Sequence, residues 1–206
     1  MEEIGFVQLS VIFFAAVLTN NIVLSNFLGL CSYFSLSDNL KTAAWMGLSV
    51  MAVTFISSVI NFAIYNLVLI PGAPIADADL TFLTFVIFIM VIAGLVQFLE
   101  FLLEKKLPDM AGRFGPFLAL VTVNCAVMGV NLFMIEPLMD FSWIQTIFYS
   151  LGSGAGWLLV ICLMAGIRNR LNKSDIPESL KGMGINLLVT GIMAMIFMGF
   201  AGMIDF

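Results

Sequence analysis

The sequence has no histidine, and only eight basic and thirteen acidic residues among 206. No imidazole is available as a metal ligand, and Cys31 and Cys125 are too few to close a four-cysteine iron–sulfur or zinc site. Charged residues make up 10% of the chain and hydrophobic ones 62%, against about 25% and about 45–50% in soluble domains. That excludes a soluble globular protein. The loops between apolar runs are short, so there is no room for a soluble catalytic domain, and reactions on substrates such as nucleotides must fall to partners. The apolar runs do not alternate, which argues against an outer-membrane barrel. The acidic start, Glu2 and Glu3, and the lack of a small-residue cleavage site argue against a signal peptide.

What is present is apolar sequence in long runs, with a mean hydropathy of +1.12. A spanning helix needs about 20 such residues, and six runs qualify: 6–30, 43–70, 81–103, 115–135, 143–167 and 184–204. The expected fold is an all-α integral membrane protein with a single polytopic domain over 1–206. Assigning the loops in alternation puts Lys41, Lys105, Lys106, Arg113, Arg168, Arg170, Lys173 and Lys181 on one side. The other side carries Glu2, Glu3, Asp77, Asp79, Glu136, Asp140 and Asp205 and no basic residue. The positive-inside rule makes the basic side cytoplasmic and leaves both termini outside. Three helices per half then enter from opposite faces, an inverted 3+3 repeat over about 1–105 and 106–206.

Polar residues interrupt two of the runs. Phe6 to Cys31 would span about 37 Å as one helix, longer than a hydrocarbon core of about 30 Å. Thr19, Asn20 and Asn21 lie near its middle and Gly29 near its end. A helix, a break and a re-entrant turn are therefore expected, returning Cys31 towards the midplane. In the fourth run Gly115-Pro116 marks a helix start, which places Cys125 about 15 Å further along. Irregular backbone at this depth is tolerated only where protein or a cavity satisfies it.

For Cys31 and Cys125 two readings stand side by side: small buried hydrophobes, or ligands of a metal or redox centre completed by a second polypeptide. Cys162, among Val160, Ile161, Leu163 and Met164, reads as the former. Glu100, one turn after Gln97, is an ion-pathway candidate or an end-of-helix carboxylate near Lys105. Ser57, Ser58 and Asn61 read as residues that hydrogen-bond helices together, and Gly152 and Gly156 as a small-residue pair for close helix contact. The loop from Arg168 to Lys181 either docks a soluble partner or only sets topology.

Asn20-Asn21, Leu28-Gly29-Leu30-Cys31, Gln97-Phe98-Leu99-Glu100, Thr122-Val123-Asn124-Cys125-Ala126 and Asp175-Ile176-Pro177 carry a resemblance over essentially the whole chain. It resembles the paired membrane subunits of the sodium-translocating NADH:quinone oxidoreductase (Nqr) and of the Rnf ferredoxin:NAD oxidoreductase. The resemblance implies six helices in an inverted repeat, paired with a homologous subunit of opposite orientation. It further implies one intramembrane [2Fe–2S] cluster shared between them, with Cys31 and Cys125 as this chain's two ligands. Electrons would pass between a cytoplasmic iron–sulfur flavin subunit and a flavin (FMN)-bearing subunit on the outer side. Glu100 matches an acidic position on the family's sodium path. A bacterial cytoplasmic-membrane location is implied, with no nucleic-acid partner.

The motifs divide between the two complexes. Asp77 to Leu83, Leu151 to Trp157 and Lys181 to Ile185 look more like the quinone-reducing complex; Asn20-Asn21 and Leu28 to Cys31 look more like Rnf. The balance favours the former. The family usually has proline where Leu118-Ala119-Leu120 stands here, and the nearby proline is Pro116, so the break in the fourth segment is not fixed. A redox role implies charge added in a low-dielectric medium, which is costly unless compensated. Such charge would raise the attraction for a cation and bias the two halves between inward and outward states. A gradient-driven transporter component without redox chemistry and a structural membrane anchor are the competing readings.

Overall fold

The computed structural model describes residues 5–69, 81–106, 120–136, 141–175, 177 and 180–200. The Gly115-Pro116 start, Arg113, Ala119 and the acidic residues Glu2, Glu3, Asp77, Asp79, Asp140 and Asp205 lie outside them. The described residues form helices and turns and no strand. In chain order the helices are α1 Phe6–Val17, α2 Leu30–Leu36, α3 Leu40–Ile64, α4 Thr84–Lys106, α5 Cys125–Phe133, α6 Trp143–Leu171 and α7 Met183–Met198.

Three of them are long and apolar enough to cross a membrane: Leu40–Leu69, Thr84–Leu102 and Trp143–Leu171. The first continues α3 through a π-helical turn, Tyr65–Leu69. Val7–Val17, Leu120–Phe133 and Met183–Met198 are apolar but shorter. The expected break in the first segment is present, separating α1 from α2. The fourth segment is also interrupted: residues 120–122 are helical or turn, 124 is extended, and α5 starts at Cys125. Cys125 therefore opens a helix, whereas a continuous rise from Gly115 would have put it inside one.

The core is built around α6, which packs against α3 on one side and α1 on another. Glycine makes both contacts possible. A Cβ on Gly152 would sit 2.7 Å from the carbonyl oxygen of Phe13, and one on Gly154 would sit 2.8 Å from Cα of Met51. The alternating glycines thus admit α1 and α3 to backbone contact on different faces of one helix, the close approach that small residues allow in membranes. α3 also contacts α4 and α5.

A buried polar network pins α5 to α3. Asn61 Nδ2 donates to Asn131 Oδ1 at 2.8 Å, and Asn131 Nδ2 donates to Ser57 Oγ at 3.1 Å. All three residues are fully buried. Ser57 and Asn61 thus join helices as expected; Asn131 is the partner the sequence did not single out. By contrast, α4 and α7 expose apolar side chains such as Phe85, Met90, Met195 and Ile196. Apolar faces of this extent mark contact with lipid or protein.

Candidate functional site

Two turns that are far apart in sequence meet at the thiols. The first follows α1. Where α1 ends, Asn21 replaces the missing helix bonds: its Nδ2 donates to the carbonyl of Val17 at 2.8 Å and its Oδ1 accepts from the amide of Val23 at 3.1 Å. Asn21 is fully buried, and Ile22, Val23 and Leu24 anchor the segment in the core. Thr19 adds a bond from Oγ1 to the carbonyl of Ala15. Side chains thereby satisfy backbone that neither helix nor water can serve.

The chain then turns sharply. Phe27 has φ 55° and Gly29 φ 83°, both left-handed. At Gly29 the conformation and the space both demand glycine: a Cβ would fall within 2.9 Å of Trp157 Nε1, Ala126 Cβ and Asn124 Oδ1. The carbonyl of Gly29 accepts from the amide of Tyr33 and from Ser32 Oγ, starting α2. Cys31 lies in its first turn and is exposed.

The second turn precedes α5. Asn124 caps the helix, accepting from the amide of Ala126 at Oδ1 (3.0 Å), the role that favours asparagine at this position. Its Nδ2 donates to Ser32 Oγ at 3.2 Å, reaching across to α2. Beside it the amide of Gly29 donates to Sγ of Cys125 at 3.0 Å. These two bonds join the Cys31 turn to the Cys125 turn. Trp157 on α6 lies under the junction, 1% exposed.

Both cysteines are exposed, as are the neighbouring side chains of Phe27 and Val123. No disulfide forms, and no third thiol or carboxylate joins them among the described residues. The donor set is half of a four-thiolate site, opening onto an apolar surface. It fits a shared [2Fe–2S] centre, because two thiolates and a backbone N–H aimed at sulfur are what one subunit would contribute.

A model of the Rnf-Nqr subunit family, described as a membrane protein, matches residues 9–204. The chain belongs to the Rnf-Nqr family. Its curated relatives carry the name of one membrane component of the Na(+)-translocating NADH-quinone reductase, designated by the letter E. The Aeromonas hydrophila protein is 44% identical over 187 residues, covering 91% of this chain and 93% of that one. The Photorhabdus laumondii protein is 44% identical over 191 residues, 93% and 96% of the two chains. The Serratia proteamaculans protein is 42% identical over the same length.

Other candidates of this Rnf-Nqr chain fall elsewhere. Glu100 is half-buried on α4, with no ion pair or hydrogen bond to the thiol turns among the described residues. Cys162 is partly buried on α6 and packs against the core, as a small hydrophobe does. Arg168 is not a loop residue: α6 continues past it to Leu171. Its guanidinium donates to the carbonyl of Phe34 at 2.8 Å and to Ser37 Oγ at 2.6 Å, and pairs with Asp38. It thus ties α6 to the C-terminal end of the helix that carries Cys31. Asn124, Ser32, Trp157 and Arg168 are the supporting residues that sequence reasoning missed. Asn124 alone left a readable signal, a capping residue directly before an apolar run.

Proposed function

We propose that this chain is the E-type membrane component of a sodium-translocating NADH:quinone oxidoreductase, and that Cys31 and Cys125 supply two ligands of an intramembrane [2Fe–2S] cluster. The observation that carries this reading is the bond from Gly29 N–H to Cys125 Sγ. It brings two thiol turns 96 residues apart into one site while both cysteines stay open to a partner. The relatives' names favour the quinone-reducing complex over Rnf.

A bound cluster would supply one-electron transfer. The rest is the work of this chain's own residues. The N–H of Gly29 stabilises negative charge on Cys125 sulfur, a charge-assisted bond that is stronger in a dry site. Asn124 and Ser32 hold the two turns in register, and Trp157 closes the site from beneath. Phe27 and Val123 offer apolar contact to the homologous partner that would bring the other two thiolates.

Six spans would form an inverted 3+3 arrangement, with both termini outside, in the bacterial cytoplasmic membrane. Flavin-bearing partners would lie on either side, and quinone would be the terminal acceptor. Glu100 on α4 is the proposed carboxylate of the sodium path.

Replacing Cys31 with alanine in the assembled complex is expected to abolish the cluster's reduced-state EPR signal and quinone-linked electron flow. A complex that assembles with that signal intact would overturn the ligand assignment. Iron and acid-labile sulfide analysis of the purified complex separates the redox reading from a gradient-driven transporter or a passive anchor.

A further inference from the structure

The basic end of α6 carries a feature unrelated to the thiols. There a polar cavity of about 270 Å³ opens between the last turns of α6 and the start of α7. Arg168, Asn172, Ser174, Lys181 and Asn186 line it. Asn186 is only 7% exposed, and its side-chain amide has no hydrogen-bond partner among the described residues. An amide buried without a partner is costly, and this one borders a cavity that also receives two cationic side chains. Arg168 shares its charge with Asp38, whereas Lys181 is exposed beside the cavity. Arg170 and Lys173 add to the positive field at this end, against the carboxylates of Asp38 and Asp175.

An apolar groove of about 540 Å³ adjoins the cavity. Cys162, Leu163, Gly166 and Ile167 line its length along α6. Leu171 and Ser174 border both the cavity and the groove. The two therefore form one amphipathic depression, cationic and amide-lined at one end and apolar along the helix. A ligand that matches it has an anionic head and a hydrocarbon tail.

We propose that this depression binds an anionic phospholipid. The phosphodiester sits between Lys181, Arg168 and Asn186, and one acyl chain runs along α6 past Gly166. Basic pockets between membrane helices recognise lipid headgroups in this way, and the apolar groove adds the area that a free anion cannot use. Lipid binding here does not depend on the redox reading and survives its failure.

The test uses the purified complex containing this chain, with phospholipid binding read by native mass spectrometry. The probes are phosphatidylglycerol, phosphatidylcholine and deacylated glycerophosphoglycerol. Lys181→Gln should weaken phosphatidylglycerol binding about fivefold, the weight of one basic residue near an anionic surface, and leave phosphatidylcholine unchanged. Gly166→Leu should weaken it as well, because a Cβ there meets no other atom within 4 Å and the side chain fills only the groove. The deacylated headgroup should fail to compete. Phosphatidylglycerol binding unchanged in both variants would overturn the proposal, as it would if a protein partner covered the groove. An effect of Lys181→Gln without one of Gly166→Leu, with the deacylated headgroup competing, would also overturn it in favour of a free-anion cavity.

Discussion

The turn before Cys31 is shaped by backbone conformation, with left-handed residues at Phe27 and Gly29, whereas the turn before Cys125 is shaped by the Asn124 side chain. The first gives its backbone N–H to the other turn's sulfur, and the second gives its side-chain amide to the other turn's serine. Each turn is thus completed by its counterpart. The difference shows that two thiols can be brought to one site without a common local device, provided the exchange of bonds is mutual.

The comparison can be broken most strongly at Gly29. Gly29→Ala adds a left-handed alanine and a methyl where three neighbours already stand. The expected loss is about 2–5 kcal/mol of stability, seen as a lowered midpoint of thermal unfolding in detergent. Asn124→Ala removes a helix cap and the bond to Ser32, with an expected loss of about 1–3 kcal/mol. Asn124→Asp sharpens this, since it keeps the acceptor that caps α5 but loses the donor to Ser32. It should recover part of the alanine loss, and no recovery would mean that capping is not what shapes this turn. The smallest effect belongs to Phe27→Gly. Relief of a left-handed aromatic residue and the added chain entropy of glycine nearly cancel, leaving a change within about 1 kcal/mol. If Gly29→Ala were no more harmful than Asn124→Ala, the contrast between backbone and side-chain control would fail.

Much of this was legible in residue order. The break after α1 could be read because Thr19, Asn20 and Asn21 interrupt a run too long for one span, and Asn21 does carry the bonds that satisfy it. The α6 glycines could be read from their spacing. The position of Cys125 at a helix start could not, because a break at Val123 and Asn124 is set by a cap and a cross-chain bond rather than by glycine or proline. Asn131 was hidden for a related reason: its partners, Asn61 and Ser57, lie 70 and 74 residues away, and helix periodicity says nothing about which faces meet. Both thiols were visible as residues, but their exposure came only from the packing around them.

Arg168 carries a further consequence. It counts among the basic residues that orient the chain during insertion, yet it is also the tie that holds the end of α2 against α6. One side chain therefore serves as a sorting signal during biogenesis and as a brace afterwards. A charge-reversal experiment meant to reorient the protein would loosen the Cys31 helix even in molecules that insert correctly. Orientation is better probed at Lys41 or Lys173, whose side chains make no such tie among the described residues.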